Sequence, residues 1–466
     1  MAMVRTLIAL AAAAGAATAA GAPPRGWNSY DSFNWVVTEA DFRAQAKLVA
    51  EKLLPHGYDT VVVDYLWAQS LQGWSSRSPP KLRLDSLGRW QPSLDRWPSA
   101  AGDNGFKDVA SYVHSLGLKF GVHIMRGIAE EAVEANLTIP GTGGARTGFI
   151  ADMTRRCPWY TPMVAVNLSA PGGQEWMDLN YAQLRSWGVD FVKNDCTFGG
   201  NFAEDNIKSV ALSMERAGGG WEYSLSPGNV EPAEVPHAQA ILDDVTMYRV
   251  AGDDWDKPSD LLHHFAAANL FQGLIGARGR EGRPSFPDLD MLPLGRIAEA
   301  CGTQVAAPHC RPYHDTALTR GQQRMQITLW AVARSPFFFG GDMTALDNFT
   351  EAVLTNRDAL DVNSRSTKNR CLVGCSSSAS PSGPVVWAAE LEQPPSGGPV
   401  LVAAMFNAGS AAGNVTVATS DVGIPGGAKC SFRGAWTGVT GTVIGGPAPL
   451  SLRVDSDDAE LLVIEC

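Results

Sequence analysis

One pattern constrains this chain more than any other. An amphipathic helical stretch, a glycine, a short apolar run and then polar residues follow one another three times before residue 200. In the first unit Phe42, Ala46, Val49 and Leu53 recur at helical spacing behind Thr38 and Asp41, which are spaced like a capping box, and lead through Gly57 into the run 59–64. In the second, Phe106, Val109, Val113 and Leu116 lead through Gly117 into 118–124, and in the third Trp176, Leu179, Leu184 and Trp187 lead through Gly188 into 189–195. Glycine takes the left-handed conformation without a Cβ penalty, so helix, glycine and buried strand make an αβ unit. Repetition of that unit predicts a parallel sheet.

Further strands are expected at 26–30, 222–226, 245–250, 288–292 and 337–340, with helical stretches such as 206–217 and 322–334 between them. Eight strands spread this widely fit a (β/α)₈ barrel with insertions better than a doubly wound sheet. We place that α/β barrel at 21–365. Beyond it helical periodicity disappears, and the runs 385–390, 400–405, 414–418 and 461–465 alternate with Gly, Pro and Ser turns, which predicts an antiparallel β-sandwich over 366–466.

The first twenty residues have a basic start at Arg5, an apolar stretch over 6–14 and Ala17-Thr18-Ala19, the order of a signal peptide. No later segment has 18 uninterrupted apolar residues, so the mature protein is expected to be soluble rather than membrane-spanning. Eight cysteines and sequons at Asn136, Asn167, Asn348 and Asn414 agree with secretion, to the cell wall, the extracellular fluid or a vacuole-like compartment. The net charge of −11 argues against nucleic acid as a partner and is neutral about an uncharged sugar.

Residues at the C-terminal ends of barrel strands share one mouth, and carboxylates recur there: Asp64, Asp195, and Asp253 with Asp254 after Arg249. Lys193 and Asp195 are two apart and share a strand face. Two carboxylates across one cavity are what glycoside hydrolysis needs, with a nearby lysine to keep one ionised. Trp27, Trp67 and Trp159 lie beside these points and offer faces for a sugar ring. A serine-hydrolase elbow, a phosphate-binding loop and a His-Glu-x-x-His motif are all missing from the sequence, and the glycines at 141, 143 and 144 lack a dinucleotide setting. The group His309, Cys310 and His314 reads as a disulfide-bearing loop rather than a metal site, so no metal or cofactor is expected.

Taken together, Gly26-Trp-Asn-Ser-Tyr-Asp-Ser-Phe33, Val63-Asp-Tyr-Leu-Trp67, Trp187-Gly-Val-Asp-Phe-Val-Lys-Asn-Asp-Cys196, Tyr248-Arg-Val-Ala-Gly-Asp253 and Pro287-Asp-Leu-Asp-Met-Leu292 closely resemble glycoside hydrolase family 27, the α-galactosidases, and within it plant-type members with β-L-arabinopyranosidase activity. The resemblance covers nearly the whole mature chain. It implies Asp195 as nucleophile and Asp253 as general acid/base, with Asp254 and Asp256 as neighbours. It further implies Trp27, Asp64, Lys193 and Arg249 as sugar-binding positions, Asp290 and Met291 in the pocket wall, and a Cys157–Cys196 disulfide beside the site. Ser226 lies where family members vary their recognition of the 2-substituent, and His123 stands where a tyrosine is frequent. Galactosidases usually carry two adjacent aspartates where this chain has Asp64-Tyr65, so Tyr65 bears on the choice of sugar.

The resemblance thus implies a secreted, retaining exo-glycosidase acting on glycans or glycoconjugates with terminal α-D-galactosyl residues, and also or preferentially β-L-arabinopyranosyl residues. The alternative is a catalytically inactive sugar-binding or storage protein on the same scaffold. For the remaining cysteines the expected pairs are Cys301 with Cys310 and Cys430 with Cys466, which leaves Cys371 with Cys375.

Overall fold

A computed structural model describes residues 21–72, 82–279, 282–299, 311–392 and 400–466. The leader-like residues 1–20 and the expected Cys301–Cys310 pair lie outside them. The three punctuating glycines act as their sequence context predicts: Gly57, Gly117 and Gly188 have φ of +85°, +80° and +86°. They follow the helices Glu39–Lys52, Lys107–Ser115 and Gly173–Ser186 and precede strands. Thr38 and Asp41 form the expected reciprocal cap, each side chain accepting from the other's backbone N–H.

Eight parallel strands make the barrel: β1 Arg25–Asn28, β2 Thr60–Val63, β3 Lys119–Met125, β4 Phe191–Asp195, β5 Glu222–Leu225, β6 Met247–Arg249, β7 Phe286–Asp288 and β8 Phe337–Phe339. They pair in the order β7-β6-β5-β4-β3-β2-β1-β8. The ring closes through a parallel bridge between Leu292 and Phe339, in which the Leu292 N–H donates to the Phe338 carbonyl at 2.7 Å. The strand expected at 288–292 is therefore displaced. Its ladder is Phe286–Asp288, and the following residues turn across the mouth, with Asp290 at φ +96°.

Period-two alternation decides what fills the barrel. Val62, Phe191, Met247, Phe286 and Phe338 form an apolar cluster of their own, apart from the core outside the sheet. Gly121 belongs to the same layer, since a Cβ there would meet Val62 and Phe191 at 2.8 and 2.9 Å. Two residues further along their strands stand Asp64, Lys193, Arg249, Asp288 and, on β3, His123. The lumen thus changes from an apolar plug to charged side chains within one step of the alternation.

The C-terminal region is an antiparallel sheet of six strands with a two-stranded sheet over one face. In the central strands Pro384–Leu391, Val400–Asn407 and Asp458–Glu465 nearly every residue is buried, because the sheet is covered on both sides. Val386, Leu401, Met405 and Leu462 face Val415, Val417 and Leu450 of the small sheet. Trp387, Val402, Phe406 and Leu461 face the other way and join the barrel's own core. Helix Arg320–Val332 supplies part of that contact, and Trp436 donates its indole N–H to Thr328 at 2.8 Å.

Disulfides join Cys157 to Cys196, Cys371 to Cys375 and Cys430 to Cys466. Among the described residues no helix is long and apolar enough to cross a membrane.

Candidate active site

A cavity of about 270 Å³ opens at the C-terminal ends of the strands. Asp64, Tyr65, Lys193, Asp195, Ser226, Arg249, Asp253, Asp290 and Met291 all line it, joined by Tyr30, Asp31, His123, Trp159, Asp254 and Trp255. Trp27 does not. It is fully buried among Phe33 and Phe42, with its indole N–H on the Gly341 carbonyl at 2.8 Å. Alternation explains the correction: on β1 the neighbouring Asn28 reaches the mouth, where it meets Asp64, so Trp27 points outward to the helices.

Asp64 is the most firmly held group. It accepts from Asn28 at 2.7 Å, from Lys193 Nζ at 2.9 Å and from the Tyr65 N–H at 2.8 Å, while its own N–H donates to Ser29. Burial alone would push its carboxyl up, but Lys193, His123 and those two N–H donors outweigh burial and hold it well below the usual carboxylate range. Lys193 is raised in return: burial lowers it, and Asp64 and Asp290 more than reverse that.

Asp195 ends β4 with a side chain that is 15% exposed. His123 Nε2 lies 3.2 Å from its Oδ2, and the Cys196 N–H donates to Oδ1 at 2.6 Å. Against the upward push of burial, these contacts and Lys193 keep the carboxyl below its ordinary value, so it is an anion at neutral pH. Cys196 adopts φ +63° and is tied by its disulfide to Cys157, which fixes the peptide immediately after Asp195.

Asp253 and Asp254 are adjacent and differ completely. The Asp253 side chain is 69% exposed at the cavity rim, touched by Arg249 Nη2 at 3.4 Å, whereas the Asp254 side chain is 0% exposed. Arg249 organises the segment between them and β6. Its Nη2 donates to the carbonyls of Gly252 and Ala251 at 2.7 and 3.2 Å, and its Nη1 lies 2.7 Å from Asp290 Oδ1. Burial raises Asp290 to about 7 despite Arg249, with Asp253 adding to the rise. Asp256 accepts from the Ala317 N–H and contacts His314 Nε2 at 3.0 Å, which leaves that histidine in a structural contact; His309 and Cys310 lie outside the described residues.

Tyr65 forms one wall. Its ring packs edge-on against His123, Tyr160 and Tyr30, with centroids 5.4, 5.7 and 6.4 Å away. Tyr30 and Trp255 continue the aromatic surface 6.2 Å apart. The sequence reasoning did not single out Tyr30, Asp31 or Trp255 as pocket residues. Tyr30 and Asp31 begin the short helix after β1, and Trp255 follows the Asp253-Asp254 pair, so position relative to strand ends was the available signal.

No family model matches the chain. Over 96% of its length it is 32% identical to a solved family 27 β-L-arabinopyranosidase from Geobacillus stearothermophilus, of which it covers 97%, with a TM-score of 0.84. It is 23% identical over 446 residues to an α-galactosidase of Coffea arabica, covering 95% of this chain and 93% of the other. It is 24% identical to an α-galactosidase of Cyamopsis tetragonoloba, covering 95% and 86%. With near-complete coverage on both sides at the first of these identities, the chain belongs to glycoside hydrolase family 27.

Proposed function

We propose that this glycoside hydrolase is a retaining exo-glycosidase that removes terminal β-L-arabinopyranosyl residues in preference to α-D-galactosyl residues. The observation that carries the reading is the contrast between its two pocket carboxylates, one held as an anion deep in the mouth and the other on the exposed rim. Asp195 attacks the anomeric carbon and forms a covalent glycosyl-enzyme while Asp253 protonates the departing oxygen. Asp253, now a carboxylate, then takes a proton from water as that water attacks the same carbon. Two inversions give net retention.

A cavity of about 270 Å³ holds one sugar ring rather than a chain, which fits removal of terminal residues. Lys193 and Asp64 present a fixed donor and acceptor pair to ring hydroxyls, and Arg249 carries the segment bearing Asp253. The preference rests on Tyr65. L-Arabinopyranose is galactose without its hydroxymethyl group, and a phenol in place of the usual second aspartate removes an acceptor and adds bulk. The Geobacillus relative is an arabinopyranosidase, and a variant of it was solved in complex with arabinose.

Secretion accords with the leader-like start, the disulfides and the exposure of Asn136, Asn167, Asn348 and Asn414. The purified protein, given nitrophenyl β-L-arabinopyranoside and nitrophenyl α-D-galactoside in parallel, should hydrolyse both and favour the first. NMR should show the first-formed sugar with retained anomeric configuration. Hydrolysis of neither substrate would sink the reading, and inverted product would remove Asp195 as nucleophile.

A further inference from the structure

Behind the exposed Asp253 stands a carboxyl group that this reaction scheme does not use. Asp254 turns into the wall between helices Pro258–Phe271 and Arg320–Val332. Its backbone N–H donates to Asp290 Oδ2 at 2.7 Å, and its Oδ2 meets the side-chain amide of Gln326 at 2.5 Å. Among the described residues its Oδ1 has no hydrogen-bond partner, and neither does Gln326 Oε1.

Among the described residues no cation is placed to balance a charge on it. His264 Nδ1 lies 4.0 Å from Asp254 Oδ1, beyond hydrogen-bond range, and that nitrogen already contacts the Asp260 carbonyl at 2.5 Å. Burial holds the His264 ring neutral, with its pKa pushed down to about 3. The ionisable groups that bear most on Asp254 are the carboxyls of Asp290, Asp260 and Asp31. Arg249 is engaged by Asp290 and by two backbone carbonyls. An anion in this place would be fully buried beside other carboxyls with one amide for company, which is among the least favourable settings a carboxylate can have.

We infer that Asp254 is a carboxylic acid in the working enzyme, donates its proton to the Gln326 amide oxygen, and is the positioning residue that pins the segment carrying Asp253. The inference rests on the acid/base reading of Asp253. A separation of 2.5 Å is ordinary for O–H···O and short for N–H···O, so the Gln326 amide is oriented with its oxygen toward Asp254. Asp253 itself is held by a 3.4 Å contact at an exposed rim, and so its place depends on how its neighbours are anchored. Asp254 fixes the chain on one side of it and the Arg249 bonds to Ala251 and Gly252 on the other.

Three variants and one spectrum test this. Asp254→Ala and Gln326→Met should lower kcat by roughly 10²-fold on an alkyl glycoside, whose leaving group needs protonation, with little change in KM and a smaller loss on the nitrophenyl glycoside. Asp254→Asn, neutral and of the same shape, should restore kcat to within about threefold of the parent, the scale of one neutral hydrogen bond. If Asn is as damaging as Ala, an ionised group is required and the inference fails. It fails equally if KM rises while kcat holds, because that marks a substrate contact. The infrared difference between parent and Asp254→Asn at neutral pH should contain a carboxylic-acid carbonyl band. A carboxylate band in its place overturns the protonation whatever the kinetics show. An enzyme that shows the acid band but hydrolyses neither glycoside would instead refute the catalytic reading on which the positioning role depends.

Discussion

The two ends of the barrel treat charge in opposite ways. At the base, where the strands begin, Lys119 lies between Asp59 at 2.9 Å and Glu222 at 2.5 Å, and Arg25 donates to the Leu360 carbonyl at 2.6 Å. At the mouth Asp31, Asp64, Asp195, Asp253, Asp288 and Asp290 crowd around Lys193 and Arg249, with Asp254 buried behind them. Leu66, Cys196 and Asp290 there also hold φ of +59°, +63° and +96°, a region that side chains other than glycine seldom occupy. The base pairs or hydrogen-bonds these ions, at little gain where solvent reaches them. At the mouth burial pushes Asp254 and Asp290 up while their partners hold Asp64 and Asp195 down, and the backbone is strained, a combination of the kind that clusters at functional sites.

The largest expected effect tests whether the mouth serves chemistry. Asp195→Asn should abolish turnover on every substrate, while Asp253→Ala should lose about 10²- to 10⁴-fold on an alkyl glycoside and far less on a nitrophenyl one. Asp253→Ala should leave the unfolding temperature unchanged, since that side chain is exposed, whereas Asp195→Asn should lower it modestly, because the fold holds that carboxyl below its ordinary value and gains stability from the anion at neutral pH. Loss of stability without loss of turnover would erase the contrast between the two ends.

A second prediction concerns pH. Asp290 has a folded pKa of about 7, above its unfolded value, so its contribution to stability is full below the ordinary carboxylate range and is lost as pH rises toward 7. That loss is on the order of 4 kcal/mol at most. Melting profiles of Asp290→Asn should therefore lack the component that falls between about pH 4 and 7. A variant profile parallel to the parent's would show that Asp290 is ionised throughout.

Specificity should respond more modestly. Discrimination over one hydroxymethyl group is worth about 1 to 3 kcal/mol, so Tyr65→Asp should move the kcat/KM ratio toward galactoside by roughly 5- to 150-fold. A ratio that stays put would transfer the choice of sugar to other residues of the wall.

The smallest effect belongs to the base. Lys119→Met should lower stability by only about 1 kcal/mol, because the lysine side chain is 41% exposed and solvent screens the pair. Its partners raise its pKa above the unfolded value, against burial, so the contribution is present at neutral pH and disappears only in strong alkali. Measured kcat/KM should not change, and a fall would mean that the two ends are coupled.

Much of this was legible because alternation is a local rule. Once 189–195 is read as a strand, Phe191, Lys193 and Asp195 must share a face, and the barrel makes that face the lumen. The same rule, applied to β1, excludes Trp27 in favour of Asn28, because an indole's capacity to stack on a sugar says nothing of which face of the strand it occupies. The displaced seventh strand had a weaker cue. Asp288-Leu-Asp-Met-Leu292 alternates like a strand, yet Asp290 takes a positive φ that its residue type does not announce, and tertiary contacts hold it there. The small sheet of Ile128–Ala129, Ala151–Arg156 and Met163–Val166 was not anticipated, since segments this short carry no readable period. The difference between Asp253 and Asp254 was also illegible, because both follow the same strand and only packing separates them.

The two-sided burial of the C-terminal sheet has a consequence for how the molecule comes apart. Trp387, Phe406 and Leu461 lie in the same apolar cluster as Trp330 and Phe265, which pack outside the barrel. Removing the sheet would expose that surface, and removing the barrel would strip one face from strands that are apolar on both. Calorimetry of the whole chain should accordingly give a single transition, and limited proteolysis should not release a folded barrel. The barrel and its sheet should unfold as one cooperative body, and a chimera that exchanges the sheet must match the barrel face it covers.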